Sequence, residues 1–473
     1  MDESPIHARL GASFHASGNP PLRRPFRRRV GLTFALGMLL MSASGLVPAS
    51  AFANPLATEA QIAAEKAALR IEQTPQVQAV REQLRQVLLA DPGAQVADGR
   101  ASLDKVLDQW IRCHILMQLS IDQASPALLW IADNTPRTWF GHLFPGDIIA
   151  GDNPDNSNRV TYLDGGSSYE LVGRYGSPKS GQFNLNIEMA HPNGGMGKHL
   201  VTLTDKAIKL EPDGTFRVTI DSKPANGRAN HMQVQPGLLL FAARDSRSDW
   251  AQNASTLSLR RVSGPGLKRA ANEAEQIDRI VRETPAFVNY WRKFKDGFFG
   301  NPEPNVLVMP QRRDSEGGWG YIAGGKFKLA DDEALVITTT DGGADYTGFQ
   351  ITDPWTLRPE TLLRTSSLNK TQARKSPDGS YTYVIALQDP GIANWIDTAG
   401  LHQGWFQMRW QNLPAGSEPT ASAVKLVKLD DMDTVVGPEV PRANLAYRQD
   451  QIRKRVTLFS RRASETPPDA LPR

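Results

Sequence analysis

The pentapeptides Pro212-Asp213-Gly214-Thr215-Phe216 and Pro377-Asp378-Gly379-Ser380-Tyr381 decide the fold. Pro, Asp and Gly together favour a tight turn, and each turn opens a run of alternating apolar and polar residues that is typical of a β-strand. The turns stand 165 residues apart, and Ala229-Asn230-His231 and Ala393-Asn394-Trp395 stand 164 apart. The spacing indicates an internal duplication. Chance similarity between two Pro-Asp-Gly turns is the alternative.

Outward from these turns, short runs rich in β-branched and aromatic residues alternate with Gly, Pro, Asn and Asp. They fill 139–264 and 306–430, and we predict a jelly-roll-like antiparallel β-sandwich in each stretch. Apolar residues recur at helical spacing in 54–138 and 265–305, which predicts an N-terminal helical region and a helical linker. Residues 431–473 are expected to form a C-terminal arm. The fold class is therefore mostly β with flanking helices, that is, α+β.

Two Thr-Pro pairs predict helix starts. Thr74-Pro75 and Thr284-Pro285 each combine an N-cap residue with a proline that suits the first helical position. We expect one helix to begin at each pair.

The first 53 residues have the composition of an export signal. Arg23–Arg29 is followed by an uncharged stretch, 30–47, and then by an A-x-A motif that ends at Ala53. These are the three parts of a signal peptide, with cleavage between Ala53 and Asn54. An uncleaved membrane anchor is the alternative. We expect the mature protein to be periplasmic or secreted and not to span a membrane.

The charge distribution argues against a nucleic-acid partner. The chain has 473 residues and a formal net charge of +4. Six of its 54 Lys and Arg residues and two of its 50 Asp and Glu residues lie in 1–53, so the other residues carry no net charge. Nucleic-acid binding is therefore not expected. A single cysteine, Cys113, excludes an intramolecular disulfide and a Cys-based zinc site.

Longer motifs carry a family resemblance. Gly151–Asn156 and Leu163–Gly165 lie in the first half, and Ser366–Asn369 and the string Asp389–His402 lie in the second. Over about residues 140–430, the chain resembles the bacterial exported and cell-associated proteins that carry the domain of unknown function 1214. The second half is the stronger match. The resemblance implies jelly-roll-like β-sandwiches and no established reaction.

The loop after residue 388 is the first candidate site. Asp389, Asp397 and His402 are candidate catalytic residues, because a carboxylate and an imidazole together can transfer protons. Further along the same loop, Asn394, Trp395 and Thr398 are candidate ligand-binding residues. The alternative is that Asn394 and Asp397 cap the backbone of their own loop and Trp395 closes the end of the sandwich.

Other candidates lie outside that loop. Trp319 and Tyr321, in a Gly-rich segment, can line a sugar or apolar ligand or else belong to the core; Ser367 and Asn369 are further candidate ligand-binding residues. The Gly-rich segment lacks the spacing of a dinucleotide-binding or Walker motif, so we expect no cofactor.

An oxygen-rich turn lies near the start of the first predicted sandwich. Asp152, Asp155 and Asn156 could hold Ca²⁺, but their spacing does not fit an EF-hand. We favour an Asx turn that leads into a strand, and expect no metal site.

These patterns favour an exported, soluble protein that binds a small-molecule, glycan or lipid-like ligand at a sandwich loop. A hydrolase or lyase that uses an Asp/His pair in the second sandwich is one alternative. A structural component of an envelope assembly is another. Nothing in the sequence fixes the oligomeric state.

Overall fold

The computed structural model describes residues 54–149, 151, 153–267, 269–313 and 318–465. Over these residues the chain is rich in β-sheet with flanking helices, which confirms the α+β class. The α-helices are α1 (Glu59–Glu72), α2 (Pro75–Leu89), α3 (Ala97–Leu119), α4 (Glu273–Phe299), α5 (Met432–Val435) and α6 (Leu445–Ser460). No helix in these ranges is both long enough and apolar enough to cross a bilayer.

The first group of strands lies between α3 and α4. They are β1 (Leu129–Ile131), β2 (Arg137–Trp139), β3 (His142–Phe144), β4 (Asn156–Asp164), β5 (Ser168–Arg174), β6 (Gln182–Met189), β7 (His199–Thr204), β8 (Thr215–Asp221), β9 (His231–Gln233), β10 (Leu238–Ser246) and β11 (Thr256–Ser263). Sheet I has the order β1-β4-β10-β6-β7 and sheet II the order β11-β5-β8-β9. Strands β2 and β3 pair only with each other.

The second group follows α4. The strands are β12 (Val308–Arg312), β13 (Tyr321–Lys328), β14 (Glu333–Thr339), β15 (Tyr346–Thr352), β16 (Ser367–Asn369), β17 (Tyr381–Ala386), β18 (Trp395–Asp397), β19 (Gln403–Gln411) and β20 (Lys425–Lys428). Sheet III has the order β12-β13-β19-β15-β16 and sheet IV the order β18-β17-β14-β20.

The two groups repeat one topology. Sheet III has the strand order of sheet I, and sheet IV has that of sheet II, including one parallel pair in each, β8 with β9 and β17 with β18. The Pro-Asp-Gly turns precede β8 and β17, which are equivalent strands, and the two Ala-Asn repeats lead into β9 and β18. The sequence matches therefore fall at equivalent places in the two groups.

Each pair of sheets encloses its own apolar core. Between sheets I and II, Leu171, Phe216 and Phe241 are fully buried. Between sheets III and IV, Phe349 and Ile385 are buried in the same way. Alternate residues of each strand point inward, as in a β-sandwich, and this leaves the other face of every sheet for a second layer.

Helices form that second layer over sheet I. Buried residues of α1 to α4, among them Trp110 and Phe287, share one core with Val160 and Tyr162 of β4. Helix α4 begins after Asn272, whose side chain accepts from the Glu275 amide in a capping box.

The predicted helix start at Thr284-Pro285 is wrong, because both residues lie inside α4. A proline removes one backbone hydrogen bond within a helix. Here the Thr284 hydroxyl donates to the Ile280 carbonyl at 2.7 Å, and the helix continues. The pair at Thr74-Pro75 does begin α2, as predicted.

Helix α6 attaches the C-terminal segment to both sandwiches through three arginines spaced seven residues apart. Arg448 and Arg455 bind the second sandwich, and Arg462, just past the helix, donates to the Pro154 carbonyl at the entrance to β4. All three are buried. Seven residues make two helical turns, so these side chains share one face of the segment.

Candidate functional site

A cavity of about 240 Å³ lies where sheet I, sheet III and α4 meet. Its walls include the helix-facing side of β4, β6 and β10, the side chains of Gln407, Arg409 and Gln411 on β19, and the α4 residues Trp291, Phe294 and Phe298. Both sandwiches therefore contribute to one cavity.

On sheet I the cavity wall is built in cross-strand rows. Arg244 of β10 pairs with Asn158 of β4 and with Asn184 of β6. Two residues along, Ala242 lies between Val160 and Asn186. Because side chains two residues apart point to the same face, these rows form a continuous surface that is polar at Arg244 and less polar beyond it.

A third row carries an acid. Leu240 pairs with Glu188, and both line the cavity. Burial raises the pKa of Glu188 to about 7, against a backbone hydrogen bond from Gly197 that lowers it. Four residues of strand separate this row from that of Arg244, which is roughly 13 Å. The carboxyl group and the guanidinium therefore stand at opposite ends of the wall.

The polar end is positively charged. Burial, together with the charge of Arg409, lowers the pKa of Arg244 to about 10, so the guanidinium stays charged at neutral pH. Within the described part of the chain, Nε and Nη2 of Arg244 are shielded from solvent and have no hydrogen-bond partner. Arg409, at the equivalent strand of sheet III, donates to Gln407 Oε1 at 2.9 Å.

Aromatic rings form the opposite wall. Trp291, Phe294 and Phe298 follow one another at helical spacing along α4, and the ring centroids of Trp291 and Phe294 lie 5.2 Å apart. Phe298 continues the row to Trp319, with a centroid distance of 6.2 Å. The cavity thus combines an aromatic wall with a polar strand face, which is the usual composition of a small-molecule site.

The predicted loop site has a different character. Asp389 accepts from Arg448 Nε and Nη2, both at 2.9 Å, and from the Gly391 amide. Burial raises the pKa of Asp389, but the hydrogen bonds from Arg448 and Gly391 outweigh it and keep the pKa below its ordinary value. Its carboxylate is therefore held ionised by structural contacts.

The side chains of Asn394 and Trp395 bond to backbone groups outside their own loop. Asn394 accepts from the Arg374 amide at 2.6 Å and donates to the carbonyls of Arg374 and Thr382. The Trp395 indole donates to the Ala386 carbonyl at 2.9 Å. Asn394 is therefore held by neighbouring segments and does not cap its own loop, and the role of Trp395 stays a prediction.

The remaining loop residues are also held separately. Asp397 accepts from Arg364 and from the Ala399 amide, and Thr398 is fully buried. His402 is half exposed, and its Nε2 lies 2.9 Å from Asp331 Oδ1. Since Asp389, Asp397 and His402 each have a different partner, the contacts favour a structural role for the loop, and catalysis there stays a prediction.

The other candidates lie in three places. Trp319 lines the cavity, whereas Tyr321 is buried in the second core and donates to Glu418 at 2.8 Å. Ser367 accepts from Arg455, both through its hydroxyl oxygen and through its carbonyl. Asn369 donates to Asp155 at 3.2 Å. Of these four, only Trp319 reaches the cavity.

The oxygen-rich turn is an Asx turn made by a neighbouring residue. Asn153 Oδ1 accepts from the Asp155 amide at 3.0 Å. The Asp155 carboxylate accepts from Trp250 and Tyr346 as well as from Asn369. Burial raises the pKa of Asp155 in spite of these bonds. Asp152 lies outside the described residues.

Of the two residues that flank the predicted cleavage site, the structure describes one, Asn54. Ala53 and the rest of the predicted signal peptide lie outside the described residues. Asn54 is buried, and its side chain donates to the carbonyls of Arg462 and Ser464 at 2.8 and 3.0 Å.

A solved structure supports the fold assignment. A crystal structure of an uncharacterised protein from Burkholderia cenocepacia is similar to this chain, with a TM-score of 0.61 and 22% sequence identity. The match covers 74% of this chain and 95% of that one. At this identity the likeness shows the fold alone.

A second solved structure is more distant. The VPA0106 protein from Vibrio parahaemolyticus has a TM-score of 0.35 and 11% identity, over 58% of this chain and 90% of that one, a similarity too small to bear on fold or function. No family model matches the chain, and no curated protein matches it in sequence.

Sequence reasoning missed most of this cavity. Arg244 and Arg409 are visible in the sequence only as charged residues near the ends of strands. Asn184, Asn186 and Glu188 alternate with apolar residues on β6, a pattern that normally indicates a solvent-exposed face. Here α4 and sheet III border that face, so its polar residues line an internal site.

Proposed function

We propose that this protein binds a small molecule in the cavity between its two sandwiches and beneath α4. The observation that carries the proposal is the composition of the cavity: polar rows from sheet I and β19 face an aromatic wall from α4. A ligand with both polar and apolar parts matches the two walls of this cavity.

The test is thermal stability against a broad set of compounds: sugars, steroids, fatty acids, and neutral aromatic and aliphatic alcohols. A ligand that binds only the folded state raises the melting temperature. We expect at least one class to do so. No shift from any compound would contradict the proposal.

Substitutions that fill the cavity test whether the ligand binds there. Ala242→Trp places a large side chain in the middle row, between Val160 and Asn186, and is expected to abolish the shift. Ala242→Leu is a smaller change and is expected to weaken it. Ser258→Trp on the exposed side of β11 is the matched control, with the shift unchanged. A shift that survives in the folded Ala242 variants would place the ligand elsewhere.

Export forms a second part of the proposal. We infer that the mature chain begins at Asn54 and is periplasmic or secreted, since the first 53 residues have the parts of a signal peptide. The resemblance to proteins with the domain of unknown function 1214 supports an exported location. N-terminal sequencing of the protein from the extracytoplasmic fraction tests this, and recovery of an uncleaved N-terminus would contradict it.

A further inference from the structure

The inference concerns Arg244 and rests on the proposed function. Within the described ranges, Nε and Nη2 of this arginine have neither solvent nor a hydrogen-bond partner, and no salt bridge joins it to an acid. Leaving buried donors of a charged group unpaired is costly. Arg244 also lines the cavity, so a bound molecule lies against other atoms of its side chain.

The same two nitrogen atoms hold carboxylates elsewhere in this chain. Arg112 donates from Nε and Nη2 to the two oxygens of Glu72, at 2.9 and 2.7 Å. Arg448 binds Asp389 through the same pair, with 2.9 Å for both bonds. This edge of a guanidinium matches the spacing of the two oxygens of a carboxylate. Among the described residues, neither the equivalent edge of Arg244 nor that of Arg462 has a hydrogen-bond partner, and of these two arginines Arg244 is the one that lines the cavity.

Nearby acids are engaged in other contacts. Asp245, the next residue on β10, binds Arg159 at 2.8 Å and also accepts from Ser255. Asp155 accepts from Trp250 and Tyr346. Glu188 lies at the far end of the wall, as described above. The positive charge of Arg244 therefore lies at the cavity wall with none of these three carboxylates bound to it.

We propose that the ligand is an organic carboxylate whose acid group pairs with the guanidinium of Arg244 and whose apolar body lies against the rings of α4. In the same cross-strand row as Arg244, the side-chain amides of Asn158 and Asn184 supply further polar contacts. Beyond it, Val160, Ala242 and the α4 rings surround the apolar part. A sugar without an acid leaves the guanidinium edge unpaired.

Matched pairs of compounds test this assignment by calorimetry. 1-Naphthoate is compared with neutral 1-naphthalenemethanol, and decanoate with 1-decanol. A charge-assisted contact with the guanidinium favours the acid, and we expect the wild-type protein to bind at least one acid more than tenfold more tightly than its alcohol. Equal binding within both pairs overturns the carboxylate assignment but leaves the proposed function standing. Binding of none of the four overturns the assignment, while the broader compound set still decides the proposed function.

Variants locate the contact. In Arg244→Met the preference for the acid is expected to disappear while binding of the alcohol persists, and in Arg244→Lys a reduced preference is expected, because lysine keeps the charge and loses the paired geometry. Arg260→Met, an exposed residue of β11, is the control and leaves the preference unchanged. A preference that survives in Arg244→Met overturns the assignment. If that variant does not fold, Arg244→Lys decides: a reduced preference for the acid supports the assignment, and a preference equal to that of the wild-type protein overturns it.

One further compound separates the anion classes. 1-Naphthyl phosphate carries the same ring with a phosphate monoester. Weaker binding than 1-naphthoate supports the carboxylate assignment. Tenfold tighter binding overturns it in favour of a phosphate ligand.

Discussion

Arg448 and Arg244 are both charged side chains in low-dielectric surroundings, but they differ in their hydrogen-bond partners. Arg448 of α6 binds both oxygens of Asp389 in the predicted loop site and the carbonyls of Ile392 and Ala393. Arg244 in the cavity has a guanidinium edge without a hydrogen-bond partner among the described residues. The charged residues of the motif-rich loop have partners elsewhere in the protein, namely Arg448, Arg364 and Asp331. The difference teaches that a loop can be dense in reactive residue types while each of them has a structural partner.

The largest expected effect follows from replacing Arg448, which has protein partners. Arg448→Met leaves Asp389 and two carbonyls without their donor, and we expect the free energy of unfolding to fall by about 3 kcal/mol. Chemical denaturation measures it. Arg453→Met on the exposed face of α6 is the matched control, with a change under about 0.5 kcal/mol. If both variants lowered the free energy of unfolding equally, Arg448 would contribute no more to stability than a surface arginine, which would contradict the prediction.

A buried histidine extends the comparison to pH. His114 Nδ1 lies 2.9 Å from the Thr284 hydroxyl and Nε2 lies 3.0 Å from the Gln118 amide nitrogen. Burial, with a smaller contribution from the charge of Arg279, lowers its pKa to about 3. His114 therefore takes up a proton near pH 6.5 in the unfolded chain but stays neutral in the folded chain. The free energy of unfolding consequently falls as the pH drops below 6.5.

The matched variant isolates that loss. His114→Gln removes the titrating group, so the wild-type protein should lose about 2 kcal/mol relative to the variant between pH 7.5 and pH 5.0. Denaturation at the two pH values measures this difference, and other titrating groups cancel in it. A constant difference would show that His114 is protonated equally in both states.

Arg244 should respond in the opposite direction to Arg448. Arg244→Met exchanges an unpaired charge for an apolar side chain of similar length, and we expect stability without ligand to stay the same or to rise by about 1 kcal/mol. Denaturation in the absence of ligand measures this change. A loss as large as that for Arg448→Met would mean that Arg244 is structural.

The smallest effect belongs to His402. Its contact with Asp331 is exposed on both sides, so His402→Ala should change stability by less than about 0.5 kcal/mol. Binding of carboxylates in the cavity should be unchanged, as calorimetry with 1-naphthoate would show. A tenfold loss of binding would return the functional site to the loop.

Much of the fold could be predicted because its signals are local. Pro-Asp-Gly turns and alternating runs depend on neighbouring residues only, and they indicated the strands of both sandwiches. The start at Thr284-Pro285 was wrong because packing of Phe287 and Trp291 into the helical core outweighs the backbone hydrogen bond that Pro285 removes.

The cavity could not be predicted because it depends on what covers a strand face. Trp319 was identified, but the role of Arg244 follows from its place between Asn158 and Asn184 and from the α4 rings opposite. Those neighbours come from distant parts of the sequence. A single chain without its fold does not reveal which polar faces are enclosed.

Helix α6 has a consequence for how the protein is made. Its segment is synthesised after both sandwiches, yet Arg448, Arg455 and Arg462 supply hydrogen bonds to residues of each. The Pro154 carbonyl, for example, accepts a hydrogen bond from Arg462, which is synthesised some 300 residues later. The nascent chain therefore cannot reach its final packing while it is still being elongated, and a delay in the last stage of synthesis prolongs a state in which both sandwiches lack these contacts.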